Sequence, residues 1–106
     1  MEIKNVKGSS KVSPKAPEGY SSWLNYWEEN MKKPLKDYME YECPACKNYF
    51  TRQHFDGCHV QKADSSDGKW YIVPLCDSCN HCNEPMDIDS CLLLDVPSHL
   101  KVTYSE

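Results

Sequence analysis

Residues 43–82 read CPACKNYFTRQHFDGCHVQKADSSDGKWYIVPLCDSCNHC, and the fold turns on the two short pairs near the ends of that stretch. Cys43-Pro44-Ala45-Cys46 is one C-x-x-C and Cys76-Asp77-Ser78-Cys79 is a second, with 29 residues between them. A tight turn places thiols at i and i+3 on one side, close enough to share an ion. Backbone N–H groups of the turn can then stabilise the thiolates. Two such knuckles offer four soft ligands in a tetrahedron, the arrangement zinc takes with sulfur at about 2.3 Å. Iron is the other metal a four-thiolate set suits. Four thiolates close the coordination sphere, so a single Zn²⁺ is expected to be structural. In a domain this small, binding the ion and folding are expected to be largely one event.

Other uses of the thiols fit less well. The chain carries seven cysteines, an odd number. Its opening residues, MEIKNVKGSS, lack the apolar stretch of a secretory signal, so a disulfide framework is not expected and the cytoplasm is. No βαβ pattern surrounds either C-x-x-C, which argues against redox chemistry at one pair alone. The ligand set itself stays open at this point. Cys82 extends the second pair to C-x-x-C-x-x-C, and Cys58, His59 and His81 lie near enough in sequence to replace one of the four. Cys91 sits in the apolar run SCLLLDV and is expected to be a small core residue.

The rest of the chain reads as cover for this unit. Residues 20–32, YSSWLNYWEENMK, predict an amphipathic helix: Ser21 or Ser22 is a natural N-cap, and Trp23, Leu24, Trp27 and Met31 share one face. Pro34 stops it, with Lys32, Lys33 and Lys36 complementing the helix dipole at that end. Residues 34–42 are ambiguous between a short helix and a turn. Asp56-Gly57 marks a turn, Cys58 to Lys62 a strand, residues 64–68 a loop, and Lys69 to Leu75 the strongest strand in the chain. The two strands make a hairpin that delivers Cys76 into the second knuckle. A short helix over 77–84, a strand over 90–96 and a sheet extension at 101–104 complete the reading. Residues 1–17 are poor in apolar side chains and end in Pro14 and Pro17. They predict a flexible tail, leaving 18–106 as one zinc-binding domain. The fold class is α+β.

Composition limits the function. Of the 106 residues, 40% are hydrophobic and 26% charged, a lean supply for a core and a reason for a staple. No apolar run approaches the roughly 20 residues of a membrane helix. The net charge of −4 argues against a general nucleic-acid binder. Residues 1–17 carry +3, from Lys4, Lys7, Lys11 and Lys15 against Glu2. Such a leader could touch a phosphate backbone, but it is more simply a solvated segment.

The order knuckle, hairpin, knuckle, helix resembles a treble-clef zinc finger. Within it, Gly57-Cys58-His59-Val60, Tyr71-Ile72-Val73-Pro74-Leu75-Cys76 and Cys79-Asn80 resemble the zinc-stapled HNH endonuclease pattern, in which metal pairs flank a ββα unit. The resemblance implies that His59 stands at the position of the general base. This sequence departs from the pattern elsewhere: Cys58 replaces the usual metal-binding acid, Tyr71 the orienting Asn, and Asn80 the helix His, with His81 one step late. The resemblance therefore bears on the fold more than on the activity. Gly19-Tyr20-Ser21-Ser22-Trp23, Gly-x-His-Val and Tyr-Ile-Val-Pro-Leu-Cys-x-x-Cys-Asn, spread over residues 19–80, are similar to a group of small bacterial proteins of unknown function. In that group the position of Cys79 can be His and that of Cys58 can be Ala, which implies Cys43, Cys46, Cys76 and Cys79 as the ligands.

Three functions follow as expectations. The first is a non-enzymatic zinc module with a protein partner, nucleic acid being the second choice of partner. The next is a metal-dependent HNH-type nuclease with an altered site, His59 its base. The last is a redox or metal-handling protein using Cys58 and Cys82. Outside the nuclease reading His59 is a structural histidine, Asn80 a helix cap or strand contact, and His54 and His99 surface residues.

Overall fold

The computed structural model describes residues 1–6, 16–64 and 68–97, a mixture of α and β. In chain order its elements are β1 (Glu2–Asn5), α1 (Trp23–Met31), β2 (Glu40–Glu42), β3 (Tyr49–Thr51), a 3₁₀ turn at Arg52–His54, β4 (Phe55–Lys62), β5 (Tyr71–Cys76), α2 (Asp77–Asn80), β6 (Met86–Asp87), a second 3₁₀ turn at Ser90–Leu92, and β7 (Leu94–Asp95). One antiparallel sheet runs β6-β1-β4-β5-β7, and β2 and β3 form a separate ribbon.

The expected hairpin lies at the centre of the larger sheet. Its register pairs Phe55 with Cys76, Gly57 with Pro74, His59 with Ile72 and Val60 with Tyr71. Side chains alternate between the two faces. One face carries Cys58, Val60, Tyr71, Val73 and Leu75, which join Ile3, Met86, Ile88 and three of the knuckle cysteines in the main core. The other carries Gly57, His59 and Ile72. There Ile72 packs with Trp23, Tyr26, Trp27 and Val96 in a second cluster. Covered on both sides, β5 is buried at all six positions, the pattern of a strand in the middle of a layered domain rather than at its surface.

Helix α1 covers the second face. Ser22 caps it, its hydroxyl accepting from the Asn25 N–H at 3.0 Å. The Trp27 indole N–H donates to the Leu92 carbonyl at 2.8 Å, which fixes the helix to the chain entering β7. Its beginning meets β4 at Gly57, where a Cβ would run into the backbone of Trp23 and Leu24. Gly57→Ala must therefore push helix and strand apart. It is expected to cost about 1–3 kcal/mol, measured as a lower urea midpoint at unchanged slope. An unmoved midpoint would show that this contact does not bear on stability.

The helix also carries a buried acid. Glu28 bonds Arg52 from both oxygens, Oε1 to Nη2 at 2.7 Å and Oε2 to Nε at 3.2 Å, and accepts from the Leu35 N–H at 2.6 Å. Burial raises its carboxyl, but the Arg52 guanidinium and the Leu35 N–H outweigh that and hold it below the ordinary carboxylate range. The pair locks the end of α1 to the 3₁₀ turn before β4.

Several expectations change. The tail expected over 1–17 begins as an interior strand: β1 lies between β4 and β6, with Ile3 opposite Lys62 and Met86. Its burial rests on one apolar side chain, Ile3, which is fully buried. Residues 7–15 lie outside the described residues, as do His99 and the sheet extension expected at 101–104. The ambiguous stretch 34–42 ends in β2 rather than a second helix. The strand expected over 90–96 is broken: Asp89 accepts from the Cys91 N–H at 3.0 Å and turns Ser90–Leu92 into a 3₁₀ turn. Cys91 is consequently exposed and not a core residue.

Candidate metal centre

Each knuckle is built from local backbone geometry. In the first, the Lys47 N–H donates to the Cys43 carbonyl at 3.0 Å and the Cys43 N–H to the Asn48 carbonyl at 2.8 Å. Lys47 closes the turn in the left-handed region, φ 67°, a conformation that costs a non-glycine residue roughly 1–2 kcal/mol. Its ammonium folds back onto the Pro44 carbonyl at 2.6 Å. In the second knuckle β5 ends at Cys76, α2 begins at once, and Cys79 lies within it. The turn continues with the Cys82 N–H donating to the Cys79 carbonyl at 3.1 Å.

The hairpin brings the knuckles together. The sulfurs of Cys43, Cys46, Cys76 and Cys79 all lie within 4.8 Å of one another, and Cys46 Sγ is 3.8 Å from Cys76 Sγ. Tetrahedral ligands bonded at about 2.3 Å stand roughly 3.8 Å apart. Four cysteines are thus positioned to bind one metal ion, and these are the four the sequence singles out.

The four alternative ligands are placed elsewhere. Cys58 Sγ lies 3.4 Å from the Asp56 carbonyl, within the core. Cys82 Sγ rests 3.7 Å from the Glu84 carbonyl. The His81 Nδ1 is 2.8 Å from the Asp77 carbonyl one turn back. His59 points to the opposite face of β4, edge-on to Trp23 and Trp70 at ring separations of 4.6 and 5.7 Å.

Electrostatics sort the thiols. Burial raises the Cys46 thiol, but the Asn48 N–H and the neighbouring sulfurs of Cys43, Cys76 and Cys79 outweigh it, and its pKa falls to about 7. Burial pushes Cys76 and Cys79 up, and sulfur neighbours push Cys79 further. Without metal, Cys46 would therefore ionise ahead of Cys76 and Cys79, as coupled acids lose their protons in steps. A divalent ion would reverse that order, since a coordinated thiol is deprotonated outright. Cys58 is raised well above its ordinary value by burial. A buried, protonated thiol is a poor nucleophile, which removes the main support for thiol redox chemistry at that residue.

One residue important to this centre carries no motif. The Asn5 carboxamide donates to the Cys82 carbonyl at 2.8 Å and the Cys79 carbonyl at 3.1 Å, so β1 clamps the second knuckle from behind. Alternation within Glu2-Ile3-Lys4-Asn5 was the available signal: it puts Asn5 on the same face as buried Ile3.

A cleft of about 600 Å³ opens beside the centre, between the start of α1 and the second knuckle. Asp56, Gly57, His59, Asn80 and His81 help to line it. The Asn80 amide donates to Asp56 Oδ2 at 3.3 Å, so Asn80 ties α2 to β4. Burial raises the Asp56 carboxyl and the nearby Asp77 charge adds to that. His54 is exposed, 3.6 Å from an Asp77 oxygen. Among the described residues no helix is long and apolar enough to cross a membrane. No family model, curated protein or solved structure matches the chain.

Proposed function

We propose that the chain is a small interaction module of treble-clef type, stapled by one structural zinc ion on Cys43, Cys46, Cys76 and Cys79, that works in the cytoplasm by holding a surface for a protein partner. The observation that carries the reading is the mutual approach of the four sulfurs within 4.8 Å. Zinc suits four thiolates better than hard cations do, and a closed sphere leaves no position for a substrate. Thiols that must remain reduced to hold metal favour a reducing compartment.

The cleft supports a second reading, an endonuclease of HNH type with an altered site. His59, Asn80 and His81 line one space, where the resemblance would put catalytic groups. Against it, His59 is only 3% exposed. Burial also lowers its pKa to about 4, far from the value of an efficient base at neutral pH. Cys58 replaces the acid that would hold a hard cation.

Two measurements decide. Native mass spectrometry of the purified chain is expected to show one zinc per chain, and alkylation of the folded, zinc-loaded chain to reach Cys91 and the half-buried Cys82 while Cys43, Cys46, Cys76 and Cys79 stay protected. Plasmid incubated with Mg²⁺, Mn²⁺ or Ni²⁺ is expected to stay uncut. Nicking that disappears in a folded His59→Ala chain would replace the module with the nuclease.

A further inference from the structure

The ribbon β2–β3 has two faces of different chemistry. Its register sets Tyr41 opposite Phe50, and both pack against the main core. On the outer face Glu42 stands opposite Tyr49, and Glu40 opposite Thr51. Tyr49 is 62% exposed; Tyr38 and Met39, which lead into β2, are 82% and 46% exposed. With Met1, these are the large exposed hydrophobic residues among the described residues. Single apolar side chains on a surface are ordinary; here Tyr49 stands on the outer face of the ribbon beside Glu42, and Tyr38 and Met39 lie in the turn that leads into it.

The charge there is unspent. Glu40 and Glu42 are exposed, and no ion pair among the described residues includes either. The lysine of the adjoining knuckle, Lys47, is turned away onto Pro44. Because the ribbon grows directly out of Cys43 and Cys46, a metal ion in that knuckle would hold this face rigid, which lowers the cost of ordering it on binding.

We propose that the outer face of β2–β3 docks an extended, lysine- or arginine-bearing segment of another protein. Glu40 and Glu42 are two residues apart on a strand, about 7 Å. Basic side chains at alternate positions of an extended partner have the same spacing. Tyr49, opposite Glu42, offers a ring face for cation–π contact and apolar cover for the stem of a long basic side chain. The two carboxylates repel a nucleic-acid backbone, which selects a basic protein segment over DNA or RNA. The inference rests on the interaction-module reading and supplies the chemistry of its partner.

The test is fluorescence anisotropy of the full, zinc-loaded chain titrated into a fluorescein-labelled nonapeptide of alternating lysine and threonine. Saturable binding is expected, weakening about tenfold from 50 to 250 mM salt as surface charges are screened. The double variant Glu40→Lys with Glu42→Lys, and separately Tyr49→Ser, should each weaken it about tenfold or more with melting temperature unchanged. Glu29→Lys, a charge reversal at an exposed site on α1, should not. Absence of saturable binding, equal loss in Glu29→Lys, or tighter binding of a duplex DNA of similar size would overturn the proposal. The two readings fail separately. Nicking of plasmid removes the module reading, whereas a chain that neither nicks nor binds the peptide removes this face alone.

Discussion

Cys43→Ser and Cys76→Ser are each expected to abolish cooperative melting of the chain, and a strong chelator to do the same to the unaltered protein, while Cys91→Ala leaves the melting temperature within about 2 °C. A structural zinc held by thiolates supplies about 10–16 kcal/mol of apparent binding free energy at neutral pH. Whole domains are stable by only about 5–15 kcal/mol. Cys43 is fully buried and Cys76 nearly so, and serine at either place leaves three thiolates and a buried hydroxyl. The damage would spread, because Cys76 is the last residue of the central strand and the Cys79 carbonyl is an anchor of β1 through Asn5. Cys91 has no such place: it is exposed on a 3₁₀ turn, where surface substitutions usually stay within about 0.5 kcal/mol. Circular dichroism and tryptophan fluorescence, with and without chelator, read all four cases. A metal-free chain that still melts as one unit would show that the apolar layers suffice and that the cysteines are only part of the core.

The knuckles and the central hairpin were legible because their signals are local. An i, i+3 pair of cysteines needs nothing outside its own turn, and the Tyr71–Leu75 run is rich in β-branched and aromatic side chains over a whole strand's length. Helix α1 was legible for the same reason, although it starts at Trp23, after Ser22, and not at residue 20. β1 was hidden because its pairing is with Gln61 and Lys62, far along the chain, and its own sequence offers one buried apolar residue between two exposed charged ones. Tertiary context supplied what propensity lacked. Cys91 misled for the opposite reason. Its run looks like strand throughout, yet Asp89 at its entrance offers a side-chain cap, and local hydrogen bonding won over apolar pattern. Of the candidate site, spacing announced the two C-x-x-C knuckles but left Cys58, His59, His81 and Cys82 open as replacements; the folded chain brings together Cys43, Cys46, Cys76 and Cys79. The cleft could not, because Asp56 and Asn80 meet only through the register of β4 against the turn into α2, and the clamp by Asn5 depends on a strand that local sequence does not announce.

Stability between pH 7 and pH 4 should carry the mark of His59. The ring lies in the layer between β4 and α1, edge-on to two indoles, and burial lowers its pKa from 6.5 to about 4. The sign follows from proton binding. Between those values the unfolded chain takes up a proton on His59 that the folded chain refuses, so stability is full above about pH 6.5 and falls as the solution is acidified toward pH 4. The gap corresponds to about 3 kcal/mol. Acid also competes with metal for the thiolates, and that loss is common to the protein and its variants. Urea unfolding of the zinc-saturated chain at half-unit intervals, beside His59→Gln, isolates the histidine: the variant is expected to be less stable at pH 7 but to lose about 3 kcal/mol less on descending to pH 4. Parallel curves would mean that the imidazole is charged or solvated in the folded chain. It could then reach water from the cleft and regain the role of a base. Diverging curves would describe a neutral ring serving as packing between helix and sheet.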